Sequence, residues 1–216
     1  MNDTELFRYR LEYAKTSAMR YTGHLDVLRA WERTFRRAEI PIAFTQGFNP
    51  RPRINMVAAL PLGFTSECEL MEVWLTEDLK SCQLQNPIKG SLPPGLEIEK
   101  VTQVPNDIPK LQKVIRAAEY DVYLDPFPTN KKLQTKIDKL LDSQEIIRTR
   151  RGKTYNLRPL IESLKIIQSK GNPKIQIRLS SKESATGRPE EVLLELEIDP
   201  SPATVHRSRL FLDEKA

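Results

Sequence analysis

Residues Lys15–Arg53 read KTSAMRYTGHLDVLRAWERTFRRAEIPIAFTQGFNPRPR, and this stretch sets how the rest of the chain is read. Gly23 breaks the preceding segment, and a periodic run begins at His24. Leu25, Leu28, Trp31 or Glu32, Phe35 and Ala38 recur in steps of three and four, which predicts a helix over about 25–38 with one apolar face. Arg29, Arg33, Arg36 and Arg37 fall at i, i+4, i+7 and i+8 and form a cationic stripe on another face. Ile40-Pro41 is expected to end the helix, because a residue before proline is pushed toward extended geometry. The loop Gln46-Gly47-Phe48-Asn49-Pro50-Arg51-Pro52-Arg53 follows, bracketed by prolines and carrying two more arginines.

Outward from that helix, the chain falls into two similar series. Leu6–Ala14 alternates as a strand, Ile42–Thr45 and Ile54–Ala59 carry strand signals, and Glu69–Leu75 supplies another. Leu79–Ile88 is a weak helix, and Leu96–Val104 alternates again. The order β-α-β-β-α-β is the split βαβ, or ferredoxin-like, arrangement. Val104–Pro109 reads as a linker, with two prolines and no periodicity. Beyond it Ala118–Leu124, Lys131–Leu141, Glu145–Arg151, Lys174–Ser180, Pro189–Leu196 and Val205–Leu212 repeat the order, with Tyr155–Ile167 inserted. The fold class expected is α+β, two tandem ferredoxin-like units. The first covers 1–104, with the basic helix and the QGFNPRPR loop between its second and third strands. The second covers 111–216, with an insert around 153–170.

Composition bounds the chemistry. The chain has 216 residues, 39% hydrophobic and 29% charged, with a net charge of +5, which suits a globular protein. Between Lys15 and Arg53 stand eight Lys or Arg against three acids, so this segment alone carries +5, the whole excess of the chain. Clustered cations suit phosphate, because each neutralised phosphate releases counterions. Tyr21, Phe44 and Phe48 lie among the arginines and could stack on unpaired bases. The same residues also read as a solvated helix face with core aromatics. A second cluster, Arg148, Arg150, Arg151, Lys153 and Arg158, contains no acid, and Gly152 suggests a hairpin tip. It reads either as a second clamp on a nucleic-acid backbone or as an edge strand guarded by charge.

His24 and Asp26 are the candidate catalytic residues. At a helix start the macrodipole favours a neutral imidazole, which could serve as general base on a ribose hydroxyl beside Asp26 or Tyr21. The ordinary reading is a hydrogen-bonding histidine and a dipole-compensating aspartate. Cys68 and Cys82 are expected as thiols; two cysteines do not hold an iron–sulfur cluster, and with His24 and His206 they form no recognisable zinc set. No phosphate-binding glycine loop, nucleophile elbow or zincin motif occurs. The start, MNDTELFRYR, has no apolar block and no run approaches a membrane span, so a cytoplasmic protein without membrane contact is expected.

The run MRYTGHLDVLRAWERTFRRAEIPIAFTQGFNPRPRINMVAALPLGFTSECELMEVWL resembles the start of the radical-SAM-linked proteins, a bacterial family of unestablished activity. The G-HLD helix, the R-R-A-x-I-P helix end, the QGFNPxP loop and the LPLG…SE turn carry the resemblance, and YNLRPLIESL and RPEEVLLEL extend it. It implies a separate radical SAM partner bearing the iron–sulfur cluster and S-adenosylmethionine, with no cofactor in this chain. It supplies no catalytic residues.

Three functions are weighed. One is a non-catalytic module that binds RNA (tRNA or rRNA) and presents it to the radical SAM partner through Arg29, Arg33, Arg36, Arg37, Phe48, Arg51, Arg53, Arg148, Arg150, Arg151 and Lys153. Another is a metal-independent endoribonuclease or RNA-modifying enzyme using His24. The third is a protein–protein adaptor for the radical SAM partner.

Overall fold

A computed structural model describes residues 5–150, 152–168, 173–182 and 185–213. The chain is mixed α+β and divides after Val114 into two compact units, the second spanning Ile115–Asp213.

In the first unit the elements are β1 (Phe7–Lys15), α1 (His24–Arg37), β2 (Ile54–Met56), β3 (Phe64–Leu75), α2 (Ser81–Ser91), β4 (Leu96–Val104) and the short α3 (Leu111–Val114). β1 lies between β3 and β4, and β2 pairs with β3, every pair antiparallel. Alternation sorts β1 cleanly: Tyr9, Leu11 and Tyr13 join Val27, Trp31 and Phe35 of α1, Leu84 and Ile88 of α2, and Met71, Val73 and Leu75 of β3 in one buried cluster. Arg8 and Arg10 take the opposite face. There Arg8 is 2% and Glu72 0% exposed, with Nη2 of Arg8 2.5 Å from Oε1 of Glu72. Arg8 also donates to the carbonyls of Ile108 (2.9 Å) and Pro109 (3.0 Å), and the Leu111 N–H reaches Glu72 Oε2 at 3.4 Å. The segment expected as a linker is therefore tied down within the first unit.

The helix expected from periodicity forms, with its face turned from the expected one. Val27, Trp31, Thr34 and Phe35 are buried, whereas Leu25 is 65% exposed. Its end is a Schellman motif: Glu39 takes φ 53°, its N–H donates to Arg36 O (3.2 Å) and the Ile40 N–H donates to Phe35 O (3.0 Å). Termination therefore precedes Pro41 and does not depend on it. The strand expected at Ile42–Thr45 is reduced to isolated bridges, Ile42 to Leu75 and Phe44 to Pro52. The paired second strand is β2, so the QGFNPRPR loop runs from α1 into β2 rather than between β2 and β3.

The second unit comprises β5 (Ile115–Tyr123), α4 (Asn130–Asp142), β6 (Ile147–Arg150), β7 (Lys153–Asn156), β8 (Ile161–Ile167), β9 (Lys174–Lys182), β10 (Ala185–Thr186), α5 (Pro189–Glu195) and β11 (Thr204–Leu212). β5 lies between β9 and β11, and β8 and β10 pair with β9, all antiparallel. Without its hairpin and β10 this is the order of the first unit. Leu133, Ile137 and Leu140 of α4, Val192 and Leu193 of α5 and Ile175, Ile177 and Leu179 of β9 are all buried. The strand paired to β9 is β8, within the expected insertion. Of the residues expected as that strand, Ile147–Arg150 form β6, which pairs with β7 in a separate two-stranded hairpin. IESLKII gives no clear period of two, and only pairing with β9 fixes it as a strand.

Candidate nucleic-acid interface

The α1 stripe is built by helix geometry, and all four of its arginines are exposed. Asp26 in the first turn and Arg36 and Arg37 in the last complement the helix dipole. Two of the four arginines are committed locally. Arg29 Nη1 donates to Asp26 Oδ1 at 2.9 Å, an exposed i,i+3 pair worth little to stability. Arg37 Nη2 donates to Ser91 O at 2.5 Å, tying α1 to the end of α2. Arg33 and Arg36 have no hydrogen-bond or ion-pair partner among the described residues.

The QGFNPRPR loop has a closed neck. The Thr45 N–H donates to Arg51 O (2.8 Å), the Arg51 N–H returns to Thr45 Oγ1 (3.0 Å), and the Arg53 N–H donates to Ala43 O (2.8 Å). Above the neck Gly47 takes φ +125°, a region closed to most side chains, and Phe48 stands fully in solvent at 106% relative exposure. Arg51 is exposed. Arg53 is half-buried, with its guanidinium 5.2 Å from the Trp74 ring centre, so it packs the neck onto β3. A groove of about 390 Å³ joins this neck to the helix: Phe35 and Arg36 on one side, Phe44, Pro52 and Ile54 on the other. Glu32 and Glu39 also line it, so its charge is mixed.

Not every cation of the +5 segment faces outward. Lys15 is 2% exposed, and its Nζ donates to the carbonyls of Arg20 (3.2 Å) and Phe64 (3.1 Å). Arg20 Nε donates to Gly63 O at 2.8 Å. Both hold the Pro61–Phe64 turn against the start of α1. The sequence count treats them as surface charge, since nothing local distinguishes a buried lysine from a solvated one.

His24 is the first residue of α1 and half-buried. No hydrogen bond joins it to Asp26 or Tyr21 among the described residues; Asp26 is taken by Arg29, and Tyr21 lies beside the Arg20 guanidinium at 5.3 Å. Among the described residues no hydrogen-bonded group orients the His24 ring, the arrangement that activates a base in a catalytic pair.

The hairpin cluster is changed more. Arg148 Nη1 lies 2.7 Å from Glu195 and Arg150 Nε 4.0 Å from Glu191, both acids of α5. Burial pushes the Glu191 carboxyl up, against the pull of Arg150 and Arg148. Arg158 is spent on the carbonyls of Leu141 (2.8 Å) and Ile161 (3.2 Å). Lys153 is exposed without a partner among the described residues, and Arg151 lies outside them. The cluster is acid-free in sequence yet meets acids 41–47 positions away, which no local count could find. Among the described residues no three His, Cys, Asp or Glu gather as a metal set, and no helix is long and apolar enough to cross a membrane.

Residues 8–189 match the family described as an uncharacterized protein conserved in bacteria (DUF2344). The chain belongs to that family. Among solved structures it is similar to a chain of a Cbf5–Nop10–Gar1 complex, at 9% identity and a TM-score of 0.49 over 94% of this chain and 48% of that one. It is also similar to a chain of the archaeal box H/ACA sRNP Nop10–Cbf5 complex, at 10% identity and a TM-score of 0.44 over 93% and 47%. The chain thus spans about half the length of each, and likeness this remote bears on neither site nor substrate. No curated protein matches the sequence. For this DUF2344 protein, the interface has to be argued from its own residues.

Proposed function

We propose that this protein is a non-catalytic RNA-binding module of two tandem ferredoxin-like units, which presents tRNA or rRNA to a separate radical SAM enzyme. The observation that carries the RNA reading is Phe48, a wholly exposed aromatic on a tightly necked loop, together with the uncommitted cations Arg33, Arg36 and Arg51. Leaving a large aromatic in water gains nothing for folding; stacking on an unpaired base gives it a partner, and the arginines supply phosphate contacts. The ferredoxin-like description is supported by the order second–third–first–fourth strand in each unit. The radical SAM partner, with its iron–sulfur cluster and S-adenosylmethionine, rests on the sequence resemblance.

The test is binding of a labelled structured RNA across a salt series. With about three phosphate contacts, log K is expected to fall against log salt with a slope of about −2 to −3, and alanine at Arg33, Arg36 and Arg51 should flatten it. Affinity weaker than about 10⁻⁴ M at physiological salt removes the RNA reading and leaves the adaptor, tested by co-purification with the radical SAM protein. RNA cleavage in EDTA that is lost in His24→Ala would instead make the protein an endoribonuclease.

A further inference from the structure

The second unit holds a cavity of about 550 Å³ between the β6–β7 hairpin and β10, within the size range of small-molecule sites. Three cations line it, Arg150, Lys153 and Arg188, and among the described residues no carboxylate does. The acids of α5 hold this end of the hairpin less closely than they hold Arg148, with Arg150 keeping only a long ion pair to Glu191. The Arg150–Glu191 contact is 4.0 Å, beyond hydrogen-bond reach, and Lys153 has no partner among the described residues. The other walls differ in kind. Tyr155 offers an aromatic face, while Leu160 and Ala185 offer apolar surface. Asn156 Oδ1 is occupied by the N–H groups of Ile146 (3.0 Å) and Arg158 (3.1 Å), which leaves its amide NH₂ to donate. Thr186 Oγ1 donates to Lys182 O at 2.8 Å, which leaves its lone pairs to accept.

We propose that this cavity binds a nucleotide, either free or as an exposed nucleotide of an RNA. Arg150, Lys153 and Arg188 take the phosphate, Tyr155 takes the base face, and Asn156 and Thr186 meet the base edge. A pocket for phosphate alone needs no aromatic or apolar wall, and a pocket for a base alone has no use for three cations. The site goes beyond the RNA contact of the first unit and stands whether or not that contact exists.

Amide resonances of the full chain, labelled with ¹⁵N, provide the test. AMP or UMP is expected to shift Lys153, Tyr155, Asn156 and Thr186 with a Kd below about 1 mM, and adenosine to bind at least about tenfold more weakly. Lys153→Glu, at an exposed strand position, should weaken AMP at least about tenfold while leaving first-unit resonances in place. If only a 5′- or 3′-phosphorylated RNA oligomer shifts these four resonances, the nucleotide belongs to an RNA. The proposal is overturned if neither mononucleotides at about 10 mM nor the oligomers shift them, if inorganic phosphate binds as tightly as AMP, or if Lys153→Glu changes nothing. Shifts confined to the Phe48 loop report the first-unit contact instead.

Discussion

Trp31 stacks on Phe35 with ring centroids 5.5 Å apart and planes 28° from parallel, while Tyr13 of β1 meets the same indole edge-on at 5.0 Å. These rings fix which face of α1 is the inner one. Trp31→Ala is expected to cost about 3–5 kcal/mol in urea unfolding, and Leu25→Ala to stay within about 0.5 kcal/mol. Trp31 Nε1 is buried without a hydrogen-bond partner among the described residues, so Trp31→Phe should cost clearly less than Trp31→Ala. A large loss at Leu25 would return the helix to the rotation expected from its sequence.

That rotation shows where periodic reading stops. The run from His24 to Arg37 carries enough apolar spacing to announce a helix. Leu25 and Leu28 nevertheless draw the expected face away from Val27 and Thr34, because the pattern cannot tell an exposed leucine from a buried threonine. α2 is legible only faintly: Pro87 and Gly90 lie inside it, and the burial of Leu84 and Ile88 holds it. β8 escapes because it is a strand by virtue of its partner, whereas β2 lies within the stretch Ile54–Ala59 that carries a strand signal. Site residues follow the same division. The arginines of α1 and the exposed loop can be read locally, whereas the acids opposite Arg148 and Arg150, and the carbonyls around Lys15, are brought in by tertiary structure.

Phe48 should separate binding from stability. Phe48→Ala is expected to leave the thermal midpoint unchanged, because the ring contributes nothing buried, and to weaken single-stranded RNA by about 1–3 kcal/mol. Calorimetry and a fluorescence titration on the same preparation check both halves. A lowered midpoint with unchanged affinity would assign the ring a structural role.

In the second unit, Lys174 Nζ lies 2.5 Å from Oδ2 of the buried Asp121. That hydrogen bond, partly offset by burial, raises the lysine above its usual 10.5. The protonated form is the one favoured by folding, so its contribution is full below the unfolded value and is lost as pH rises through the higher folded one. Wild type is therefore expected to be more stable than Asp121→Asn at neutral pH, with the gap narrowing above about pH 10.4. A gap that stays constant to the alkaline limit would count against the pair.

Two glycines should respond to alanine with opposite signs. A Cβ on Gly95, at φ +94°, would stand 2.7 Å from the backbone nitrogen of Met19, which cannot yield without moving the turn before α1. Gly95→Ala is expected to lose at least about 1–3 kcal/mol. Gly90 lies in α2 with nothing within 4 Å of a Cβ, so Gly90→Ala should gain up to about 1 kcal/mol. Equal denaturation midpoints for the two variants would refute both assignments.

The Arg8 anchor bears on the order in which the polypeptide acquires its parts during synthesis. β1 is made before the rest of the first unit, yet its Arg8 guanidinium finds the acceptors at Ile108 and Pro109 100 and 101 residues later. Until those carbonyls emerge, the Arg8 guanidinium has Glu72 and the Trp74 ring beside it but lacks these later acceptors. A nascent chain stopped at 104 has all four strands of the first sheet and still lacks the lock on its polar face. Cooperative closure, read as protease resistance of stalled chains, belongs to lengths that carry Leu111 clear of the exit tunnel.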